Sequence, residues 1–316
     1  MSNTNKQFRD FNDDLHIKKT KADKLIVSRD NLRKKIRTYF SSNHPHYKPK
    51  FFIQGSYKMG TTIRTKDDTC DLDDGVYFES NPDSVTCTTL QTWVRNAVDG
   101  TTDNIIHRRK CITVDYKSDY NIDLPVYLFD VTKQTHPFLA IKNGNWREDD
   151  PKEMVVFFNN QKDSKGQLSR IVRYLKAWCD NKRENMPSGL TMTILAMNNF
   201  QPNDRDDVAL KYTLIEIERE LKLDFKCIVP ATPFDDIFAE YDDTRKNNFM
   251  SNLSNLIADA KKAVDEEKNQ LKASHLWKKH LGERFPDGEN KDEQEVDARS
   301  LTSIIKDSKP YYDRRL

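Results

Sequence analysis

Phe51-Phe52-Ile53-Gln54-Gly55-Ser56, followed fifteen residues later by Asp71-Leu72-Asp73-Asp74, is the stretch whose reading decides the fold. Lys50 to Gln54 is a short apolar run that leads into a Gly-Ser turn, and Asp71 to Phe78 has strand character. On a strand, residues two apart project to one face. Asp71 and Asp73 therefore point together, Leu72 points the other way, and Asp74 takes the face opposite Asp73, where a structural role is expected. Two neighbouring carboxylates repel unless a cation lies between them. Oxygen ligands of this kind suit Mg²⁺, which is held by a few carboxylates plus substrate phosphates.

The Gly55-Ser56 turn supplies a complement. Glycine permits close backbone approach, a helix beginning there would aim amides at an anion, and the Ser56 hydroxyl is a further donor. Lys58 and Arg64 add positive charge in the next stretch. A third acid stands in Asn121-Ile122-Asp123-Leu124-Pro125-Val126-Tyr127. An acid inside an apolar strand needs a partner or a task. With Asp71 and Asp73 it can hold two cations about 4 Å apart, the arrangement that stabilises both oxygens of an in-line displacement. Gly-Ser or Asp-x-Asp alone is common; the three pieces in this order, all on strand-like segments, are specific.

Outward from this centre, residues 1–14 are polar and are expected to be loosely held. Thr20 to Phe40 reads as a helix with Leu25, Leu32, Ile36 and Phe40 at helical spacing, ended by Asn43-His44-Pro45. Gln91 to Val98 is a short helix, and Cys111 to Tyr116 and Asn121 to Phe129 are strands joined by a Lys117-Ser118-Asp119 turn. Strands interleaved with helices indicate an α/β or α+β module. After Trp146 the pattern is mostly helical. Leu168, Ile171, Val172, Leu175 and Trp178 mark one helix, which Pro187-Ser188-Gly189 breaks. Leu190 to Asn199, Leu210 to Leu223 and Asp243 to Leu281 follow, the last stopped by Gly282 and Pro286. Residues 287–297 are acidic and read as a solvated linker.

The chain has 316 residues, enough for one large or two closely packed domains. Its 52 basic and 50 acidic residues give a net charge of +2, which excludes a protein that coats nucleic acid through a basic excess. The five cysteines (Cys70, Cys87, Cys111, Cys179 and Cys227) form no C-x-x-C pair. A reducing compartment is expected, and the absence of an apolar leader or a membrane-length run predicts a cytoplasmic protein. His44-Pro45-His46 lacks partners at zinc-ligand spacing and reads as a surface loop.

Gln54-Gly55-Ser56-Tyr57-Lys58-Met59-Gly60-Thr61-Thr62-Ile63-Arg64, then Cys70-Asp71-Leu72-Asp73-Asp74-Gly75-Val76-Tyr77, resembles the bacterial cyclic GMP-AMP synthase-like nucleotidyltransferases (CD-NTases), within the polymerase-β-like superfamily. Ile122 to Tyr127 is similar to that family's third-acid strand. Leu276-Trp277-Lys278-Lys279 with Leu281-Gly282-Glu283-Arg284-Phe285-Pro286 is similar to its C-terminal helix ending. The resemblance spans roughly residues 20–290.

The resemblance implies an α+β fold: a polymerase-β-type nucleotidyltransferase core with a mixed sheet (1–150), a helical C-terminal domain (151–316), and a long N-terminal helix, about 20–40, bracing both. It implies template-free synthesis of a cyclic oligonucleotide from ATP, GTP or other triphosphates with Mg²⁺ or Mn²⁺. A cyclic dipurine of the cyclic GMP-AMP type is suggested by the wording of the Asp71–Tyr77 segment. The setting would be anti-phage signalling, with a downstream effector that binds the product, no membrane, no nucleic acid and a monomeric chain. Catalytic and metal-binding roles fall on Asp71, Asp73 and Asp123, and nucleotide contacts on Gln54, Gly55 and Ser56. Carried over from the family, Arg173 and Lys176 would reach the triphosphate and Ser188 the nucleotide, against the plainer readings of a solvated helix face and a helix cap. The same core also occurs in enzymes that add nucleotides to RNA or protein. Some relatives end in a small residue that a partner enzyme conjugates; this chain ends Arg314-Arg315-Leu316.

Overall fold

The computed structural model describes residues 1–117 and 119–292. The acidic stretch beyond Asp292, the terminal Arg314-Arg315-Leu316 and Ser118 of the expected turn lie outside the described residues. In chain order the elements are α1 (Asn5–Leu15), α2 (Lys19–Asn43), β1 (Lys50–Gln54), α3 (Gly55–Met59), β2 (Asp71–Phe78), α4 (Cys87–Ala97), β3 (Asn104–His107), β4 (Cys111–Asp115) and β5 (Asn121–Leu128). Then come β6 (Phe138–Ala140), β7 (Trp146–Glu148), α5 (Pro151–Gln161), α6 (Gln167–Lys182), α7 (Gly189–Asn199), α8 (Asp206–Leu223), α9 (Asp243–Lys261) and α10 (Gln270–Leu281). Among the described residues no helix is long and apolar enough to cross a membrane.

The strands form one mixed sheet in the order β1-β2-β5-β4-β3, with β6 and β7 continuing from the far end of β5. Only β2 and β5 run parallel among the described pairs. Pro125, which has no amide to donate, sits where β4 stops pairing; β6 takes over from Tyr127. Alternation divides the sheet. Leu72, Val76, Phe78, Ile122, Leu124 and Val126 pack beneath α2 and α4, with Leu25, Leu32, Ile36, Phe40, Leu90 and Val94. Asp74 is on that buried face, fully enclosed and gripped in a fork by Arg33 of α2.

A second core is built on α6, whose residues Gln167 to Cys179 are all buried. The plainer reading of Arg173 and Lys176 as a solvated face does not hold, because both are buried. Polar groups of α6 are consumed internally: Asp206 accepts from Arg170 Nε at 2.6 Å, Arg170 Nη2 at 2.9 Å and the Tyr174 hydroxyl at 2.9 Å. Removing one partner of a buried pair strands the other charge. Asp206→Ala should therefore cost about 3 kcal/mol in denaturant unfolding, whereas an exposed pair such as Lys6–Asp10 should cost under ~1 kcal/mol.

Three local expectations are corrected. Residues 5–15 are not loose: Phe8, Phe11 and Leu15 fall on one face of α1 and are buried, and Phe8 packs edge-on against Tyr174, Trp277 and Phe285 at 4.9–5.0 Å. The polar composition concealed an amphipathic turn pattern. Asp243–Leu281 is not one helix. A π-turn at Lys262–Glu266 and a cap at Asn269, which accepts from Lys272 N, divide it, so α10 folds back onto α6 and α9. Residues 287–292 are not a free linker: the Gly288 amide donates to Ser274, and Gln270 and Leu271 donate to the carbonyls of Lys291 and Glu289. As to bracing, the buried apolar residues of α2 belong to the core under the sheet and those of α1 to the α6 core, so the two helices in succession join the cores.

Candidate active site

The cavity of about 770 Å³ between the other face of the sheet and the α6 core is lined by Asp71, Asp73 and Asp123, with Gln54, Gly55, Ser56 and Lys176. The strand register explains the convergence. Gln54 of β1 lies opposite Asp73 of β2, Asp73 opposite Asp123 of β5, and Asp123 opposite Thr113 of β4, in one row across four strands. Asp71 is one pleat along, opposite Asn121. Asn121 Nδ2 donates to Asp71 Oδ1 at 3.0 Å, and the Thr113 hydroxyl donates to Asp123 Oδ1. No hydrogen bond to the Asp73 carboxylate is found among the described residues.

Burial, reinforced by the charges of Asp123 and Asp71, pushes the Asp73 carboxyl up to about 7 against the opposing pull of Lys176. Burial also raises Asp71, partly offset by the Asn121 hydrogen bond. Burial pulls the Lys176 ammonium down to about 8, though Asp73 opposes this. Its Nζ donates to the carbonyl and hydroxyl of Thr61, each at 3.2 Å. Among the described residues, only His136, Asp150 and Glu153 bring three potential ligand atoms within 4.8 Å of one another, so the aspartates stand further apart. Such spacing suits ligands shared between two cations better than a single tight cage.

Gly55 has φ +62°, and a Cβ there would lie 2.0 Å from Asp73 Oδ2. Glycine is thus required by the carboxylate pressed against it as well as by the turn. Ser56, in the single turn of α3, hydrogen-bonds to the Thr62 hydroxyl at 2.9 Å. Gln54 is buried; its amide donates to the Tyr127 hydroxyl at 3.3 Å and accepts from the Tyr77 hydroxyl at 3.1 Å.

Other expected residues are placed elsewhere. Arg173 is buried but does not line the cavity: it donates to Asn12 Oδ1 at 2.9 Å and to the Gly60 carbonyl at 2.6 Å, tying α1 and the end of α3 to α6. The Ser188 hydroxyl caps α7 by accepting from Thr191 N at 3.2 Å; its neighbours Pro187 and Gly189 line the cavity. Lys58 is exposed and off the cavity, and Arg64 is engaged by Asp14 and Asp68. Lys110 and Arg183 do line it. Lys110 is signalled in sequence only by the basic run Arg108-Arg109-Lys110. Arg183 reaches the rim because it ends α6 with φ +56°, a placement with no sequence signal. Basic residues of α2 are committed to ion pairs: Lys21 pairs with Asp68 and Asp119, and Arg33 with Asp74. His44 stacks on Trp93, with ring centroids 3.6 Å apart.

A family model for the nucleotidyltransferase domain of cyclic GMP-AMP synthase DncV-like proteins matches residues 49–127. The cyclic GMP-AMP synthase of Escherichia albertii is 28% identical over 191 residues, covering 55% of this chain and 42% of that relative, so the match spans less than half of the relative's length. Among solved structures, Vibrio cholerae DncV, a cyclic AMP-GMP synthase, aligns with TM-score 0.75 and 18% identity over 90% of this chain and 98% of its own. The same protein with the linear intermediate 5′ pppA(3′,5′)pG gives TM-score 0.72 and 18% identity over 86% and 93%. Escherichia coli DncV bound to 3′-deoxy GTP gives 0.71 and 19% over 86% and 93%. At these identities the structural likeness is one of fold.

Proposed function

We propose that this chain, whose residues 49–127 belong to the DncV-like nucleotidyltransferases, joins ATP and GTP into a cyclic dinucleotide of the cyclic GMP-AMP type. The observation that carries the reading is the in-register row of Asp73 and Asp123, with Asp71 beside it, against a glycine that both its left-handed backbone and the carboxylate packed on it require. The reading treats residues 1–150 and 151–316 as two domains with the nucleotides in the cavity between them. The setting it implies is anti-phage signalling through an effector that binds the product.

All-oxygen donors whose charge is raised in cost by burial and mutual repulsion fit hard divalent cations, Mg²⁺ or Mn²⁺. Bound at Asp71, Asp73 and Asp123, such ions would neutralise the triphosphate and ease loss of the attacking hydroxyl's proton. The chain does the positioning. Lys176 and the Ser56 hydroxyl orient the triphosphate, and the row of carboxylates orients the acceptor ribose hydroxyl toward the α-phosphorus. The hydroxyl oxygen bonds to that phosphorus and pyrophosphate leaves. The linear intermediate then turns over within the cavity, and a second displacement of pyrophosphate closes the ring.

Purified protein incubated with all four triphosphates and Mg²⁺ should yield a phosphatase-resistant cyclic dipurine by mass spectrometry. Incorporation that requires added RNA or protein would instead identify a macromolecule-modifying nucleotidyltransferase and overturn the reading.

Activity should also depend on pH from both sides. At sub-saturating metal, kcat/KM rises as Asp73 loses its proton near pH 7 and falls as Lys176 loses its own above pH 8. Saturating metal competes with the Asp73 proton and moves the acid limb down, while the alkaline limb stays. An acid limb that ignores metal concentration would refute the assignment of Asp73.

A further inference from the structure

A second group of metal-ligating side chains lies at the start of α5, and one of them, Asp150, lines the cavity. His136 is in the segment before β6, Asp150 caps α5, and Glu153 is in its first turn; their potential ligand atoms lie within 4.8 Å of one another, and all three residues are half-buried. Each carboxylate is fixed through one oxygen. Asp150 Oδ1 accepts from the amides of Lys152 at 3.1 Å and Glu153 at 3.3 Å, and Glu153 Oε2 accepts from Thr232 N at 2.7 Å. Asp150 Oδ2 faces His136 Nδ1 at 3.4 Å, long for a hydrogen bond between charged groups. Glu153 Oε1 and the other imidazole nitrogen have no hydrogen-bond partner among the described residues.

The cations nearby are committed elsewhere. Lys152 Nζ sits 3.3 Å from the centre of the Phe52 ring, Arg147 pairs with Asp235, and Lys133 pairs with Asp130. Asp149 adds a third acid beside the group and accepts from the Tyr127 hydroxyl at 2.8 Å. Capping α5 needs one carboxylate oxygen. The other oxygen faces His136, and the Glu153 carboxylate close by brings a second negative charge that repels the first unless a cation lies between them.

We propose that His136, Asp150 and Glu153 bind a divalent transition-metal ion, for which one imidazole and two carboxylates suit Zn²⁺ and disfavour Mg²⁺. The ion ties the segment before β6 to α5 and, through Glu153 and Thr232, to the loop at residues 228–236. Asp150 and Thr232 also line the nucleotide cavity, so occupancy stiffens that wall. This site is independent of the three aspartates and of the reaction assigned to them.

The test is calorimetric titration of the full, chelator-stripped chain with Zn²⁺, in the wild type, His136→Ala, Glu153→Gln and Asp73→Asn. The wild type and Asp73→Asn should each bind an equivalent that His136→Ala and Glu153→Gln weaken at least tenfold and that a hundredfold excess of Mg²⁺ leaves in place. Cobalt in the same position should lack the intense near-ultraviolet band of thiolate ligation. The proposal is overturned if the wild type binds no Zn²⁺. It also fails if both ligand variants bind like the wild type, if Asp73→Asn alone loses the equivalent, or if cobalt shows the thiolate band. Glu153→Gln can still accept from the Thr232 amide through its side-chain oxygen, so it reads the ligand role should His136→Ala fold poorly.

Discussion

Asp73→Asn should abolish product formation, by at least ~10³-fold in kcat, while making the metal-free protein more stable. The two effects have one origin. In the folded chain the Asp73 carboxyl is pushed up to about 7 from an ordinary 3.8, by desolvation in the cavity and by the charges of Asp123 and Asp71. Between these values the native state holds a proton that the unfolded chain has released. Stability therefore falls as pH rises from about 4 to 7, and the full penalty stands above that. Three units correspond to roughly 4 kcal/mol, and relaxation around the group reduces this to on the order of 2 kcal/mol. Asparagine removes the charge at nearly constant volume and breaks no hydrogen bond found among the described residues. Thermal melts at pH 8 in chelator should place the variant above the wild type, with the gap closing by pH 5. Saturating Mg²⁺ or Mn²⁺ should raise the wild type far more than the variant. A variant that retains wild-type pyrophosphate release, or that is less stable in chelator, would remove Asp73 from the centre of the site.

Gly55→Ala should lose at least ~100-fold in activity and about 1–2 kcal/mol in stability. The backbone cost comes from φ +62°, and the larger functional cost from a methyl carbon 2.0 Å from Asp73 Oδ2 and 2.9 Å from its Cγ. The carboxylate must swing away, and a displacement of this size is enough to spoil an in-line geometry. Gly60→Ala is the control. Gly60 also has positive φ, +71°, but a Cβ there meets nothing within 4 Å. It should show the backbone cost, about 1 kcal/mol, with activity kept within about threefold. Equal activity losses in the two variants would mean that the contact with Asp73 is not what matters at Gly55.

The parts of the molecule legible in sequence are those governed by short-range periodicity. The strands Lys50–Gln54 and Asp71–Phe78 fall where apolar alternation places them, and Asp74 turns away from Asp73 because a strand alternates. The helix expected at about 20–40 is present as α2, and Leu25, Leu32, Ile36 and Phe40 are its buried face. What composition concealed was α1. Three apolar residues carry its burial, and their value comes from Tyr174, Trp277 and Phe285, more than 150 residues away in sequence. The π-turn and the Asn269 cap that split Asp243–Leu281 sit inside an otherwise continuous helical pattern, where a cap residue and an exposed polar residue look alike.

By itself, the sequence determined that Asp71 and Asp73 share a face, that Asp123 lies within an apolar strand, and that a glycine-serine turn follows the first strand; each follows from local backbone geometry. Tertiary structure decided that Asp73 stands opposite Asp123, because the β2–β5 register is set by hydrogen bonds between segments fifty residues apart and by the packing of Leu72, Val76, Ile122 and Val126 beneath α2. It also decided that Lys176 lines the cavity while Arg173, one turn earlier on the same helix, ties α1 to α3. Both are long basic side chains on a buried helix, and only the neighbours packed around each one give it a different task.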